Sequence, residues 1–321
     1  MQRIRDGRAR QVPACWMAAL AVLSLLAALP TGAAGAAAAP PVHDRAFWVQ
    51  LRQDCKVPKG ESAAALVNEA VALQSSRDSF WRDRVGYEVV MRCVYREHRL
   101  SPDERRRLVD TLIANLWRGI GESGTDTVLL RSFSALDLSV VQALEVQDPV
   151  LDDAGFRALL DAALAYLQHE KDPRGFDAEA GWIHATAHTA DLFKYLARDP
   201  RFTPADQARV LEAFWIKATT SDTPGWDFGE DERLASALLS VTRRSDFDVA
   251  GFEDWLARFA PLEKNFWDQG APDLDGIEAT QNARELLKSL YVQLSLEQPG
   301  LTAGQQVARD KALEVLRAIR R

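Results

Sequence analysis

Apolar residues recur at spacings of three and four along nearly the whole chain beyond residue 42, and alternating β-branched runs are absent. That period places one apolar stripe along a helix, whereas a half-buried strand needs a period of two. The chain therefore reads as all-α. Helices are expected at His43–Gln53, Glu61–Gln74, Phe80–Glu97, from Ser101 onward, and at Thr125–Glu145, Asp152–His169, Glu179–Ala197, Pro204–Thr219, Glu230–Thr242, Ala250–Phe266, Gly276–Leu296 and Ala303–Ile319. The segments between them carry Pro, Gly, Asp or Ser. Ser101-Pro-Asp-Glu104 has the makings of a helix start, with Ser as cap, Pro at the first helical position and Glu at the third.

The pattern also repeats. Leu100-Ser-Pro-Asp-Glu104 resembles Phe202-Thr-Pro-Ala-Asp206, and the same offset of 102 aligns Arg131-Ser-Phe-Ser-Ala-Leu136 with Arg233-Leu-Ala-Ser-Ala-Leu238. A third, partial copy lays Ile277–Lys288 on Ile183–Lys194 at an offset of 94. Weak repeats thus start near residues 80, 181 and 276, within a single helical domain spanning 40–321. Antiparallel helix pairs repeated in this way imply an α-solenoid of HEAT or armadillo kind, each pair burying its stripe against its neighbours. A closed α/α toroid is the alternative, although two and a half units are few for a ring.

The first 39 residues have a different character. An Arg-rich start, an apolar run from Ala14 to Leu29 and small residues from Gly32 to Ala39 form the three parts of a secretory signal, with cleavage expected within Ala33–Ala39. Retention as an N-terminal anchor is the competing outcome. The expected location is periplasmic or secreted, with no stable membrane insertion after cleavage. The whole chain carries a formal charge of −7, and residues 1–39 contribute +3 (four Arg against Asp6), so the remainder carries −10. Such a balance argues against nucleic acid as a partner and against docking on an anionic membrane, both of which need a basic face. Cys55 and Cys93 remain as a pair after the signal; in an oxidising compartment they form either a disulfide or two buried thiols.

One stretch concentrates chemistry: Asp172-Pro-Arg-Gly-Phe-Asp177 followed by Gly181-Trp-Ile-His-Ala-Thr-Ala-His-Thr-Ala-Asp191. On an ideal helix, positions i, i+4 and i+7 lie at about 0°, 40° and −20°. His184, His188 and Asp191 would then share a stripe that Tyr195 extends, on a helix otherwise apolar or small. At the aligned positions the third copy has Glu278, Asn282 and Glu285, and the first has Arg82, Gly86 and Val89, so the His pair belongs to one copy.

Four readings compete for this stripe. A divalent metal would take His184, His188 and a carboxylate from Asp191, Asp172 or Asp177; the metalloprotease pattern is incomplete, because Ala185 stands where its Glu belongs. A His tuned by Asp191 or Asp177 would do acid–base work. An anion would sit at the helix N-terminus, helped by Arg174 and Gly175. Finally, the group would be a buried hydrogen-bonded network with no ligand at all. Trp182 joins the candidate ligand-binding residues, as do Glu230 and Arg233 if the stack curves enough to bring Gly229-Glu-Asp-Glu-Arg233 to the His helix.

Four segments in this order and spacing, Arg131-Ser-Phe-Ser, Glu170-Lys-Asp-Pro-Arg-Gly175, Gly181-Trp-Ile-His-Ala-Thr-Ala-His188 with Asp191, and Glu230-Asp-Glu-Arg233, resemble a bacterial family known only as a domain of unknown function. The resemblance covers roughly Val85 to Leu290. It implies an all-helical domain and no established activity. The expectation is a binding or interaction module for a protein or small molecule rather than an enzyme. A metal-dependent, hydrolase-like enzyme is the runner-up, and a purely structural envelope protein the third reading.

Overall fold

Seven helices start where a side-chain oxygen accepts from a first-turn N–H that lacks an intrahelical partner. The caps are Asp44, Ser62, Ser101, Asp152, Thr203, Asp248 and Thr302. Three of them, Ser101, Thr203 and Thr302, close full capping boxes with Glu104, Asp206 and Gln305. The structure is a computed structural model, and it describes residues 42–220, 225–262, 274–297 and 299–319, all within one compact unit. The expected signal segment lies outside the described residues.

Among the described residues, α1 is Arg45–Asp54 and α2 is Ala63–Leu73. A continuous helical stretch, α3, is π-wound over Phe80–Tyr87, α-helical over Glu88–Val90 and π-wound again over Met91–Arg96. Then come α4 (Pro102–Asn115), α5 (Thr127–Glu145), α6 (Asp153–His169), α7 (Ala185–Leu196) and α8 (Pro204–Thr219). The last four are α9 (Glu230–Thr242), α10 (Val249–Ala257), α11 (Leu274–Leu296) and α12 (Ala303–Ala318).

Alternate helices are neighbours. The odd-numbered helices α3, α5, α7, α9 and α11 pack in sequence, one on the next. The even-numbered helices α4, α6, α8, α10 and α12 form a second succession, tied to the first through pairs such as α4 with α5 and α6 with α7. The core runs between these rows, from Trp48 to Ile319.

α5 is the most deeply placed element. Of its 19 residues, only Thr127 and Leu136 escape burial. It is long and apolar enough to cross a membrane, yet 89% of its most apolar window is buried inside the fold, as expected of a core helix. Several polar residues it carries inward are bonded to neighbouring elements: Gln74 donates to Asp137 (2.6 Å), Gln142 donates to Asp199 (3.0 Å), and Glu145 accepts from Arg201 and the Val150 and Leu151 N–H groups. Burial holds the Asp137 carboxyl well above the ordinary range, against the lowering effect of Gln74.

Two expectations change. The helix expected to begin at Glu179 begins at Ala185, because residues 176–184 form a two-residue hairpin in which Phe176 pairs with Trp182 and Asp177 with Gly181. His184 sits before the helix, in the left-handed region at φ 54°. The helix expected over Ala250–Phe266 ends at Ala257 in tight turns, and residues 263–266 lie outside the described residues.

Cys55 and Cys93 form a disulfide, with 5.3 Å between Cα atoms, joining the end of α1 to α3 across 38 residues. A bridge closing a loop of that length limits the unfolded chain by about 3–4 kcal/mol in the chain-entropy account. Reduction is expected to lower the free energy of unfolding measured in urea by that amount, with the Cys55→Ala/Cys93→Ala chain matching the reduced one.

Candidate functional site

The site begins with α5, because its first turns hold the turn and the hairpin that precede α7. The Arg131 guanidinium is fully buried and makes a two-pronged ion pair with Glu170 (2.7 and 3.0 Å). Its remaining N–H groups donate to the carbonyls of Arg118 and Gly119 and to the Thr127 hydroxyl. Glu170 also accepts from the Asp172 N–H, so the turn after α6 hangs from α5.

Within that turn, Asp172 accepts from the Arg174 side chain and backbone and from the Gly124 N–H, while Arg174 donates to the Thr125 carbonyl. Asp199-Pro200-Arg201 repeats this arrangement at the end of α7, with Arg201 reaching the Leu151 carbonyl. A pattern built twice for the same backbone task is a staple. It accounts for Asp172 and Arg174 without a ligand.

The hairpin is fixed from both sides. Asp177 accepts from the Glu179 and Ala180 N–H groups, which hold its carboxylate below the ordinary range. The expected ligand Asp177 is thereby a turn former. Buried Arg82 of α3 donates to the Ala180 carbonyl, and Gly181 (φ 78°) leaves the guanidinium room to pass. Gly175 has no space for a side chain: a Cβ there would meet Glu230 Oε1 at 2.5 Å and the Phe228 side chain at 2.6 Å. This close approach brings the start of α9 against the hairpin.

Two histidines lie where these segments converge. Ser132 donates to the Ile183 carbonyl, which leaves its oxygen to accept from His188 Nδ1 at 2.8 Å. His188 therefore carries its proton on Nδ1 and a bare lone pair on Nε2. His184 Nε2 donates to the Phe228 carbonyl at 2.8 Å and lies 3.4 Å from Glu230, which leaves Nδ1 bare. Neither bare nitrogen has a partner among the described residues. The rings meet edge to face, with centroids 5.8 Å apart.

Burial lowers the pKa of both histidines, more so at His188, where His184 and Arg233 add to it; at His184 the Glu230 carboxylate and the Phe228 carbonyl oppose it. Asp191, one turn beyond His188, is ion-paired with Arg233 of α9, and burial raises its pKa against that pairing. The tyrosine of α3, Tyr87, lies within electrostatic reach of Asp191, Tyr195 and Arg233.

Beside this polar group lie three aromatic rings. Trp182 stacks on His184 (4.8 Å, 25°) and touches Phe176 (5.0 Å) edge-on; Phe228 lies 6.1 Å from Phe176 and 6.4 Å from Trp182. Each of the three is 43–44% exposed, unlike the buried Phe and Trp residues of the core.

The structure thus gathers Trp182, His184, His188, Asp191, Glu230 and Arg233, and assigns Asp172, Arg174 and Asp177 to backbone geometry. Among the described residues, no three His, Cys, Asp or Glu side chains gather as ligands for one metal ion. Ser132, Phe176, Phe228 and Tyr87 were not expected at the site. Phe176 had a signal in its two-residue offset from the Arg-Gly turn; Phe228 had none.

Fold and site together define an all-helical protein in which segments far apart in the chain meet at one place. The chain belongs to the family of proteins of unknown function DUF2785, whose model matches residues 116–292. That range includes the six helices α5 to α10, most of α11, and the hairpin between α6 and α7. No curated protein and no solved structure matches the chain.

The neutral histidines make stability depend on pH. Their folded pKa values lie below the ordinary 6.5, so the unfolded chain takes up protons first as pH falls, and their contribution to stability is lost below about pH 6.5. Urea unfolding between pH 7.5 and 5 is expected to show this decline. His188→Asn, which keeps a donor toward Ser132, is expected to make the slope shallower.

Proposed function

We propose that the chain is an exported binding module, and that its two helix rows form an open, curved stack of HEAT or armadillo kind with the His184/His188/Asp191 face on the concave side. The alternation of neighbours along the rows supports the stack, and so do the capping boxes at Ser101, Thr203 and Thr302. The N-terminal pattern of charge, apolar run and small residues supports export, and the buried disulfide fits an oxidising compartment. One observation carries the binding reading. Two imidazoles each commit one nitrogen to the protein and leave the other bare beside exposed aromatic rings. A network serving stability alone gains nothing by leaving acceptors unmatched at the surface of a buried cluster.

The second reading, a metal-dependent enzyme, draws on the same lone pairs. Ring centroids 5.8 Å apart are within what one ion can bridge at roughly 2.0–2.1 Å from each nitrogen. Against it, one Asp191 oxygen is held by Arg233, and among the described residues no three His, Cys, Asp or Glu side chains gather as ligands for one ion. Calorimetric titration of the tag-free mature chain with zinc and nickel chlorides separates the readings. The binding module predicts no saturable site tighter than about 10 μM that is lost in His184→Ala/His188→Ala. A stoichiometric site lost in that variant would establish the enzyme reading instead. Export has its own check: expression of the full chain in a bacterium is expected to yield a mature N-terminus within Ala33–Ala39 in the periplasmic fraction or medium. An intact N-terminus in the cytoplasm would refute it.

A further inference from the structure

We propose that the ligand of this site is a saccharide, packed in the corner that the nearly perpendicular Trp182 and Phe228 rings make and hydrogen-bonded to the polar groups beside them, His184 Nδ1 and His188 Nε2 among them. This deepens the binding reading and rests on it. The argument is one of matched chemistry. The polar groups beside the aromatic rings that remain uncommitted are the two bare imidazole nitrogens, the carboxylate oxygen of Asp191 not held by Arg233, and the N–H groups of half-exposed Arg233 beyond the one that Asp191 holds, so the site offers both acceptors and donors, as hydroxyl groups do. The donors of the two other nearby arginines are consumed. Arg82 serves Asp83 and the carbonyls of Ser76, Arg77 and Ala180, and Arg174 serves Asp172 and Thr125. A surface of flat apolar faces beside lone pairs and N–H groups suits a ligand with an apolar face and a rim of groups that both donate and accept.

A pyranose ring has both. Its axial C–H groups form a face that packs on an indole, and its hydroxyls donate and accept outward. A bare cation would use the nitrogens but leave Phe176, Trp182 and Phe228 exposed without a role. Ser132 and Phe228 act as positioning residues, since each fixes the tautomer of one imidazole and leaves its other nitrogen without a protein partner among the described residues.

The test is titration of the tag-free mature chain with cellohexaose, chitohexaose and maltohexaose, followed by tryptophan fluorescence and by NMR of the histidine rings. At least one is expected to bind saturably, with shifts at His184 and His188. Trp182→Ala should weaken it at least about tenfold, with Trp182→Phe intermediate. If Trp182→Ala fails to fold, Trp182→Phe and His188→Gln provide the comparison. Absence of binding by all three sugars up to about 10 mM overturns the proposal, and so does binding unchanged in the Trp182 and His188 variants. A parallel NMR titration with indole and toluene separates the two levels of argument. Binding of these at Trp182 with no sugar binding removes the saccharide and keeps the binding module, whereas no binding by any probe removes both.

Discussion

A buried guanidinium with all its hydrogens spoken for can act as a framework in miniature, and Arg131 has this role. It sits inside the fold, neutralised by Glu170, and binds carbonyls from the segment that ends α4. Removing one member of such a pair strands a charge in a medium that solvates it poorly, at a cost of roughly 3–5 kcal/mol. The pair therefore fixes where the chain leaves α6. From that point the Asp172–Arg174 staple, the hairpin and the N-terminus of α7 follow in covalent order, so the histidines inherit their positions from an ion pair they do not touch.

The four segments that carry the family resemblance are bonded to one another. Arg131 joins the α5 segment to Glu170 of the turn; Ser132 joins α5 to His188; His184 and Asp191 join α7 to Phe228, Glu230 and Arg233 around the start of α9. The Ser132 link crosses from α5 to α7 and those of His184 and Asp191 from α7 to the start of α9, while the Arg131–Glu170 pair ties α5 to the turn after α6. A substitution at Arg131, Ser132 or His184 leaves a buried donor or acceptor unmatched in its partner segment.

Helix type and extent were legible because a 3.6-residue period and side-chain caps are local properties; α8 and α9 match their expected bounds. The hairpin was not legible. Gly181-Trp-Ile-His fits a helical period as well as a two-residue strand, and the choice is made by Arg82, 98 residues upstream, taking the Ala180 carbonyl. The π-wound turns of α3 were hidden for the same reason: Gly86 must sit against the Gln74 side chain, a tertiary demand. At the site, the association of His188 with His184 survived the error over His184's helix because the left-handed turn still returns its ring to the same neighbourhood. Asp172, Arg174 and Asp177 hold backbone turns, a task that their residue types and spacing do not distinguish from meeting a ligand.

The aligned positions show how a framework element becomes a site. Arg82, at the place of His184 in the first copy, donates to the carbonyl of Ala180 in the next connecting segment; His184 donates to the carbonyl of Phe228, again in the next segment. Asn282, at the place of His188, accepts from the Trp226 N–H. Arg82 and His184 share the task of holding the following loop, whereas Asn282 holds the preceding one. Arginine has only donors to give, so the position is spent once the carbonyl is bound. An imidazole performs the same task with one nitrogen and retains a second, opposite in character and fixed in direction by the first. Replacing arginine by histidine at such a position keeps the fold's hydrogen bond and adds an acceptor that no neighbour requires. The His pair is in this sense a framework contact with chemistry to spare, beside a hairpin that exposes aromatic rings.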